Sequence, residues 1–189
     1  MPVLTPELKK KLESVATATL SSQLRKRGLN NVSIDGLQAT RPDRRVVGLA
    51  RTLRYVPNRE DLFTTHGGGF NAQKRAIDSV NEGEILVMEA RGEKGTGTVG
   101  DILALRAQMR GAAAIITDGG VRDYSAVAGL DMPTYFANPH PAVLGRRHIP
   151  WDTDITIACG GPRSSPGHHR GRLGRDPGDP AGHRGGAGG

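Results

Sequence analysis

Apolar positions in this chain recur with two periods, and the alternation between them lays out helices and strands. Leu8, Leu12 and Val15 fall on one face of a helix opened by Thr5-Pro6-Glu7, with Thr as N-cap, Pro at the first position and an acid in the first turn. Thr17 or Thr19 caps a second helix, which Gly28 ends after the cations Arg25, Lys26 and Arg27. Residues 46–56 read as a strand, 71–80 as a helix, and 84–89 as a buried strand around Ile85-Leu86-Val87-Met88. Residues 101–110 read as a helix and 113–117 as a strand, followed by a Gly119-Gly120 turn. Residues 133–137 and 154–158 are further strands. Strands alternating with helices predict an α/β fold, with no internal repeat.

Composition changes this picture at one place. Hydrophobic residues make up 36% of the 189 residues, and the shortfall gathers after residue 161. Residues 162–189 hold nine Gly, four Pro, five Arg and three His, with Leu173, Ala181 and Ala187 as the only apolar side chains. So little apolar surface cannot offset the entropy of ordering, so the expectation is a folded domain over 1–161 and a disordered tail over 162–189. His168, His169 and His183 in that tail have no ordered scaffold on which to hold a metal. Net charge is +7, and the tail accounts for +3 of it, five Arg against Asp176 and Asp179. What remains is an ordinary solvated surface, and with 4% aromatics no nucleic-acid platform is expected. Cys159 stands alone at the end of an apolar run, which makes it a buried small hydrophobe and excludes an internal disulfide. No signal pattern or membrane-length apolar run is present, so the expected location is cytoplasmic.

The candidate chemistry lies in residues 95–123. Gly95-Thr-Gly97-Thr-Val-Gly100-Asp101-Ile102-Leu103 carries a glycine-rich loop into a helix start, where free amides and the helix dipole favour an anion. Gly95, Gly97 and Gly100 also match dinucleotide-fingerprint spacing, and Asp118 sits where a ribose-binding acid would. Arg91-Gly-Glu-Lys94 separates the strand from the first glycine, where a dinucleotide turn is tight, so a carboxylate ligand is expected and NAD is not. Arg122-Asp123 follows the next strand. Arg122 offers a fixed fork for a carboxylate or enolate oxygen, and Asp123 a hard oxygen ligand for Mg²⁺ or Mn²⁺.

Asp101 and Arg122-Asp123 are spaced as Asp-x20-Arg-Asp, flanked by Gly-Asp-Ile-Leu-Ala and Gly-Ala-Ala-Ala-Ile-Ile-Thr-Asp-Gly-Gly-Val-Arg-Asp. This pattern resembles the family of 4-hydroxy-4-methyl-2-oxoglutarate / 4-carboxy-4-hydroxy-2-oxoadipate aldolases, whose superfamily includes the regulator of ribonuclease E activity A (RraA). The resemblance covers about residues 14–161. It implies a β/β/α sandwich like the phosphohistidine swivelling domain, assembled as trimers or hexamers. It implies a divalent-metal class II aldolase that releases pyruvate from 4-hydroxy-2-oxo diacids, often with oxaloacetate decarboxylase activity. By motif match, Asp123 would bind the metal, Arg122 the substrate carbonyl and enolate, and Asp101 would orient a water. Gly100 and the amides of Asp101, Ile102 and Leu103 would hold the substrate carboxylate. The same resemblance carries a non-enzymatic alternative, a regulator that binds a ribonuclease; Asp101 favours the aldolase.

Two departures from the family stand out. Ala126 replaces an acid three residues after the Arg-Asp pair, and no acid after Gly160 matches the one that reaches a neighbouring subunit. A natural extension and a shifted reading frame both account for the tail. In the second, His168-His169 would come from CAT-CAT read one base early in an Ile-Ile segment.

Overall fold

The protein is described here from a computed structural model, which describes residues 4–160 and the backbone of 163–164. Along the chain run α1 (Pro6–Ser14), α2 (Thr17–Arg25), β1 (Gln38–Ala39), β2 (Ala50–Pro57), α3 (Glu60–His66), α4 (Ala72–Asp78), β3 (Ile85–Glu89), β4 (Gly97–Val99) and α5 (Asp101–Met109). They are followed by β5 (Ala114–Thr117), β6 (Gly120–Val121), α6 (Tyr124–Ala128), β7 (Thr134–Phe136), β8 (Asn138–Pro139), a 3₁₀ turn (Leu144–Arg146), β9 (His148–Thr153), β10 (Ile157–Ala158) and β11 (Arg163–Ser164).

The main sheet has the order β1-β7-β5-β3-β2-β9. Its four inner strands are parallel, and both edge strands run antiparallel. Continuous apolar runs such as Ile85-Leu86-Val87-Met88 suit strands covered on both faces. Leu86 and Met88 join Leu53, Tyr55, Ile77, Ile115 and Phe136 in the larger core, with Ala76 of α4 and Ala104 and Ala107 of α5. Ile85 and Val87 point the other way, to Ala114, Ile157 and Cys159. Each fully buried Leu, Ile or Met contributes about 1.5–3 kcal/mol. Arg51 fastens β2 to the segments on either side of it: its guanidinium is buried against Glu84 at 3.2 Å and Asp154 at 2.7 Å. Cys159 is fully buried, its S–H 3.7 Å from the Met88 carbonyl, and burial pushes its thiol up to about 12, as its apolar setting predicts.

A second, three-stranded parallel sheet, β4-β6-β8, carries the site. Asn71 caps α4 by accepting from the Lys74 amide at 3.2 Å. Gln73 then donates to the Thr98 carbonyl at 2.7 Å, which ties α4 to β4.

Several expectations need correction. Gly119-Gly120 is not a free turn, because Gly120 belongs to β6. A side chain at Gly119 would meet Thr98 Oγ1 at 2.1 Å and Ala90 Cβ at 2.6 Å, so the glycines serve close strand approach. The 46–56 strand begins only at Ala50. Of the strand placed at 154–158 only the two-residue β10 remains; residues 154–156 lie outside any strand, between β9 and β10. Leu8 and Leu12 lie in α1, but Val15 falls just past its end with extended backbone, φ −98° and ψ 132°, and α1 buries no residue, Leu8 being 42% exposed. Ala16, not Thr17 or Thr19, stands at the N-cap of α2 and makes no side-chain cap. His66 ends α3 with its ring stacked 4.5 Å from Trp151. β10 pairs antiparallel with β11. Of the tail expected to be disordered, only residues 163–164, in β11, are described; the rest of it, with its three histidines, lies outside the described residues.

Candidate functional site

Three short strands end together. The Arg122 amide donates to the Val99 carbonyl, and the His140 amide to the Val121 carbonyl, both at 2.9 Å. The exits Gly100-Asp101, Arg122-Asp123 and His140-Pro141 are thereby stacked side by side. This brings together the residues that the sequence separates by twenty positions.

Gly97 makes room for Arg122. A Cβ at position 97 would lie 2.0 Å from Arg122 Cγ and 2.8 Å from Cδ, so the arginine stem crosses the strand where a side chain would stand. Its Nε donates to the Pro141 carbonyl at 3.2 Å. Among the described residues the two terminal guanidinium nitrogens make no hydrogen bond. The half-buried Arg122 therefore presents an unspent fork.

Asp123 occupies the left-handed region, φ 51° and ψ 43°, at the N-cap position of α6. Asp tolerates that conformation better than most residues, and such strain gathers at functional positions. Its Oδ2 is 3.2 Å from where a Cβ on Gly100 would be, so the carboxylate leans over Gly100. Among the described residues that exposed carboxylate has no hydrogen bond or ion pair of its own.

Asp101 begins α5, and the amides of Asp101, Ile102 and Leu103 form the first helical turn, where no intrahelical acceptor exists. Asp101 Oδ1 accepts from the Ile102 amide at 2.8 Å. One of the three expected carboxylate-holding amides is thus already engaged by the residue expected to orient a water. The glycine loop also differs from expectation. The Gly95 amide donates to Glu93 at 2.7 Å, a bond that holds the Glu93 carboxyl below its usual range. The Gly97 amide donates to the Ala142 carbonyl at 2.9 Å. The amides of Gly95 and Gly97 are therefore already engaged within the chain, and the open amides of this stretch are those of the first turn of α5.

Asp118 is buried, and its carboxylate accepts from the amides of Ala90 at 2.5 Å, Gly92 at 3.0 Å and Gly160 at 3.2 Å. It clasps two chain segments, residues 90–92 and Gly160, and has little capacity left for a ribose. Both dinucleotide-like features, Gly97 and Asp118, are thus spent on internal packing. Sequence reading missed His140 and Pro141. The available signal was the Asn138-Pro139-His140-Pro141 run directly after a strand, where prolines leave few amides to satisfy.

The family model described as RraA-like, Aldolase/RraA, matches residues 17–169. A protein of Ectopseudomonas mendocina named "Putative 4-hydroxy-4-methyl-2-oxoglutarate aldolase" is 30% identical over 125 residues, covering 58% of this chain and 76% of that protein. One of the same name from Halalkalibacterium halodurans is 26% identical over 140 residues, covering 74% of this chain and 61% of that protein. A further relative, from Hahella chejuensis, is spanned over 58% of its length. Among solved structures, Streptomyces coelicolor RraAS2, described as an unusual member of the RNase ES inhibitor RraA protein family, superposes with TM-score 0.79 at 30% identity. That match covers 88% of this chain and 80% of that one. The RNA-processing inhibitor RraA of a Thermus species shares the fold, with TM-score 0.59 at 20% identity. Mixed α/β architecture with two sheets, the Arg-Asp pair beside a helix N-terminus and a family match across residues 17–169 agree: the chain belongs to the RraA-like aldolase family.

Proposed function

We propose that this protein is a divalent-metal-dependent carbon–carbon lyase that cleaves 4-hydroxy-2-oxo diacids to pyruvate and also decarboxylates oxaloacetate. The observation that carries this reading is an unspent guanidinium at Arg122 and an unspent carboxylate at Asp123, both beside the first turn of α5. The two sheets and their helical layer support the β/β/α sandwich of the phosphohistidine swivelling type.

The residues suit a Mg²⁺ or Mn²⁺ ion. No group of three or more His, Cys, Asp or Glu gathers among the described residues. Asp123 therefore contributes a single hard ligand, which fits an ion that keeps several waters and binds the rest of its shell through substrate oxygens. When bound, the ion supplies a Lewis acid at the 2-oxo group.

The chain's own groups do the rest. The amides of Asp101 and Leu103 receive the substrate carboxylate at the positive end of α5. If the substrate also takes the Ile102 amide, the Asp101 carboxylate is released from it and turns to a water. That water accepts the proton of the 4-hydroxyl as the C3–C4 bond breaks. The bonding electrons move into the pyruvate enolate, whose oxygen Arg122 stabilises, and a proton then returns to C3. In decarboxylation the same enolate forms as CO₂ departs.

Pyruvate release from oxaloacetate and from branched 4-hydroxy-2-oxo diacids, measured with and without Mg²⁺, tests the proposal. Arg122→Ala should lower turnover by roughly 10²-fold or more, and Asp123→Ala should remove the metal dependence. A folded protein with no metal-stimulated turnover of any 2-oxo acid would sink the enzyme reading. A second reading is carried by the likeness to Streptomyces coelicolor RraAS2: a regulator that binds a ribonuclease. It predicts binding to a ribonuclease that survives the loss of Arg122 and Asp123.

A further inference from the structure

We propose that His140 is a positioning residue that holds Arg122 in place through the His140-Pro141-Ala142 turn; its effect on turnover rests on the aldolase reading, its effect on the turn does not. Gly97 and Gly120 are in register on neighbouring parallel strands, so their absent side chains would share one face of the small sheet. Arg122 lies over Gly97 on that face. His140 lies over Gly120, its Cβ 3.3 Å from where a glycine Cβ would be. Two adjacent glycines thus seat an arginine and a histidine side by side.

The turn after β8 connects them. Pro141 has no N–H, so Ala142 carries the only donor of the segment that follows His140. That amide donates to His140 Nδ1 at 3.1 Å. The bond requires Nδ1 to be the acceptor, which places the proton of the neutral ring on Nε2. Both carbonyls released by this closure face the site strands. The Pro141 carbonyl accepts Arg122 Nε at 3.2 Å, and the Ala142 carbonyl accepts the Gly97 amide at 2.9 Å. His140 therefore acts at one remove. It fixes the turn, the turn fixes Nε, and a fixed Nε aims the two free guanidinium nitrogens.

The test uses the full chain, with His140→Ala and His140→Asn, the latter keeping an acceptor near the Nδ1 position. Hydrogen exchange at the Ala142 amide and at Arg122 Nε–H, read by NMR, reports the tether independently of catalysis. His140→Ala should speed both by about fivefold, the loss of one hydrogen bond. It should also lower kcat by about tenfold to hundredfold with KM little changed, and His140→Asn should restore both readouts. In the wild type, the ring nitrogen shifts should show Nε2 protonated. Should His140→Ala not fold, His140→Gln replaces it, since Gln carries its acceptor toward the Nε2 position and should loosen Arg122 where Asn does not. Unchanged exchange at Arg122 Nε in the Ala or Gln variant would overturn the proposal, as would a kcat loss shared equally by Ala and Asn. If the wild type turns over no 2-oxo acid while Arg122 exchange still depends on residue 140, the tether stands and the aldolase reading falls.

Discussion

At Asp101 two demands compete for one carboxylate. Its Oδ1 accepts from the Ile102 amide at 2.8 Å, an arrangement that satisfies one open donor of the first turn of α5. Catalysis under the proposed scheme needs the same carboxylate turned to a water. Substrate settles the competition by bringing a carboxylate of its own. Asp101→Ala should therefore leave the Ile102 amide open, so that KM for oxaloacetate holds or falls while kcat drops by roughly 10²-fold or more. Steady-state kinetics at saturating Mg²⁺ separate the two effects. A rise in KM with kcat intact would mean that Asp101 serves binding alone. Asp101, Arg122 and Asp123 were legible in the sequence because their chemistry is written in residue type. The Ile102 bond was not, since it depends on a side-chain rotamer that no spacing specifies.

Long, patterned elements were legible and short ones were not. Asn71 before an apolar-periodic run placed α4 to within two residues, and Ile85-Leu86-Val87-Met88 placed β3 to within one. β4, β6 and β8 have two or three residues each, too few for a period, and their glycines resembled turns until the neighbouring strands supplied a reason for them. β9 was missed because Pro150 and two polar residues interrupt it. The structure places it at a sheet edge, where proline is tolerated. That edge strand carries a buried histidine with a consequence for stability. His148 is fully buried beside Tyr55, its Nδ1 faces the Arg91 guanidinium at 3.4 Å, and its Nε2 has no hydrogen-bond partner among the described residues. Burial first, and then Arg91, lower its pKa from 6.5 to about 4. The unfolded chain thus binds this proton more readily than the folded one. Its contribution is complete above about pH 6.5 and is lost as pH falls toward 4, by on the order of 3 kcal/mol at the low end. Urea unfolding at pH 7.5, 5.5 and 4.5 should show that loss, and His148→Leu should flatten it in this window. Equal slopes in the two proteins would remove His148 as the cause.

For the molecule as a whole, the unsettled surface is the outer face of α5. Ala104 and Ala107 let the helix sit close against the core, while Ile102, Leu105 and Met109 point outward at 76%, 46% and 77% exposure. These positions follow i, i+3 and i+7, a continuous apolar stripe at helical spacing, and an exposed stripe of this kind marks a contact surface. It starts in the turn whose amides are proposed to hold the substrate, next to a site where, among the described residues, no group of three metal-ligating side chains gathers. The expected occupant is a second copy of this chain, in a trimer or hexamer whose neighbouring subunit closes the site. Leu105→Lys with Met109→Lys places two cations on the stripe and spares Ile102 and the amides of the first turn. Sedimentation velocity should show the wild type as an oligomer and the double variant as a monomer with its circular dichroism retained. Turnover should fall with the mass if the neighbour completes the site. A wild type that sediments as a monomer would overturn the assembly. A monomeric variant with full activity would keep the assembly and remove the neighbour from the chemistry.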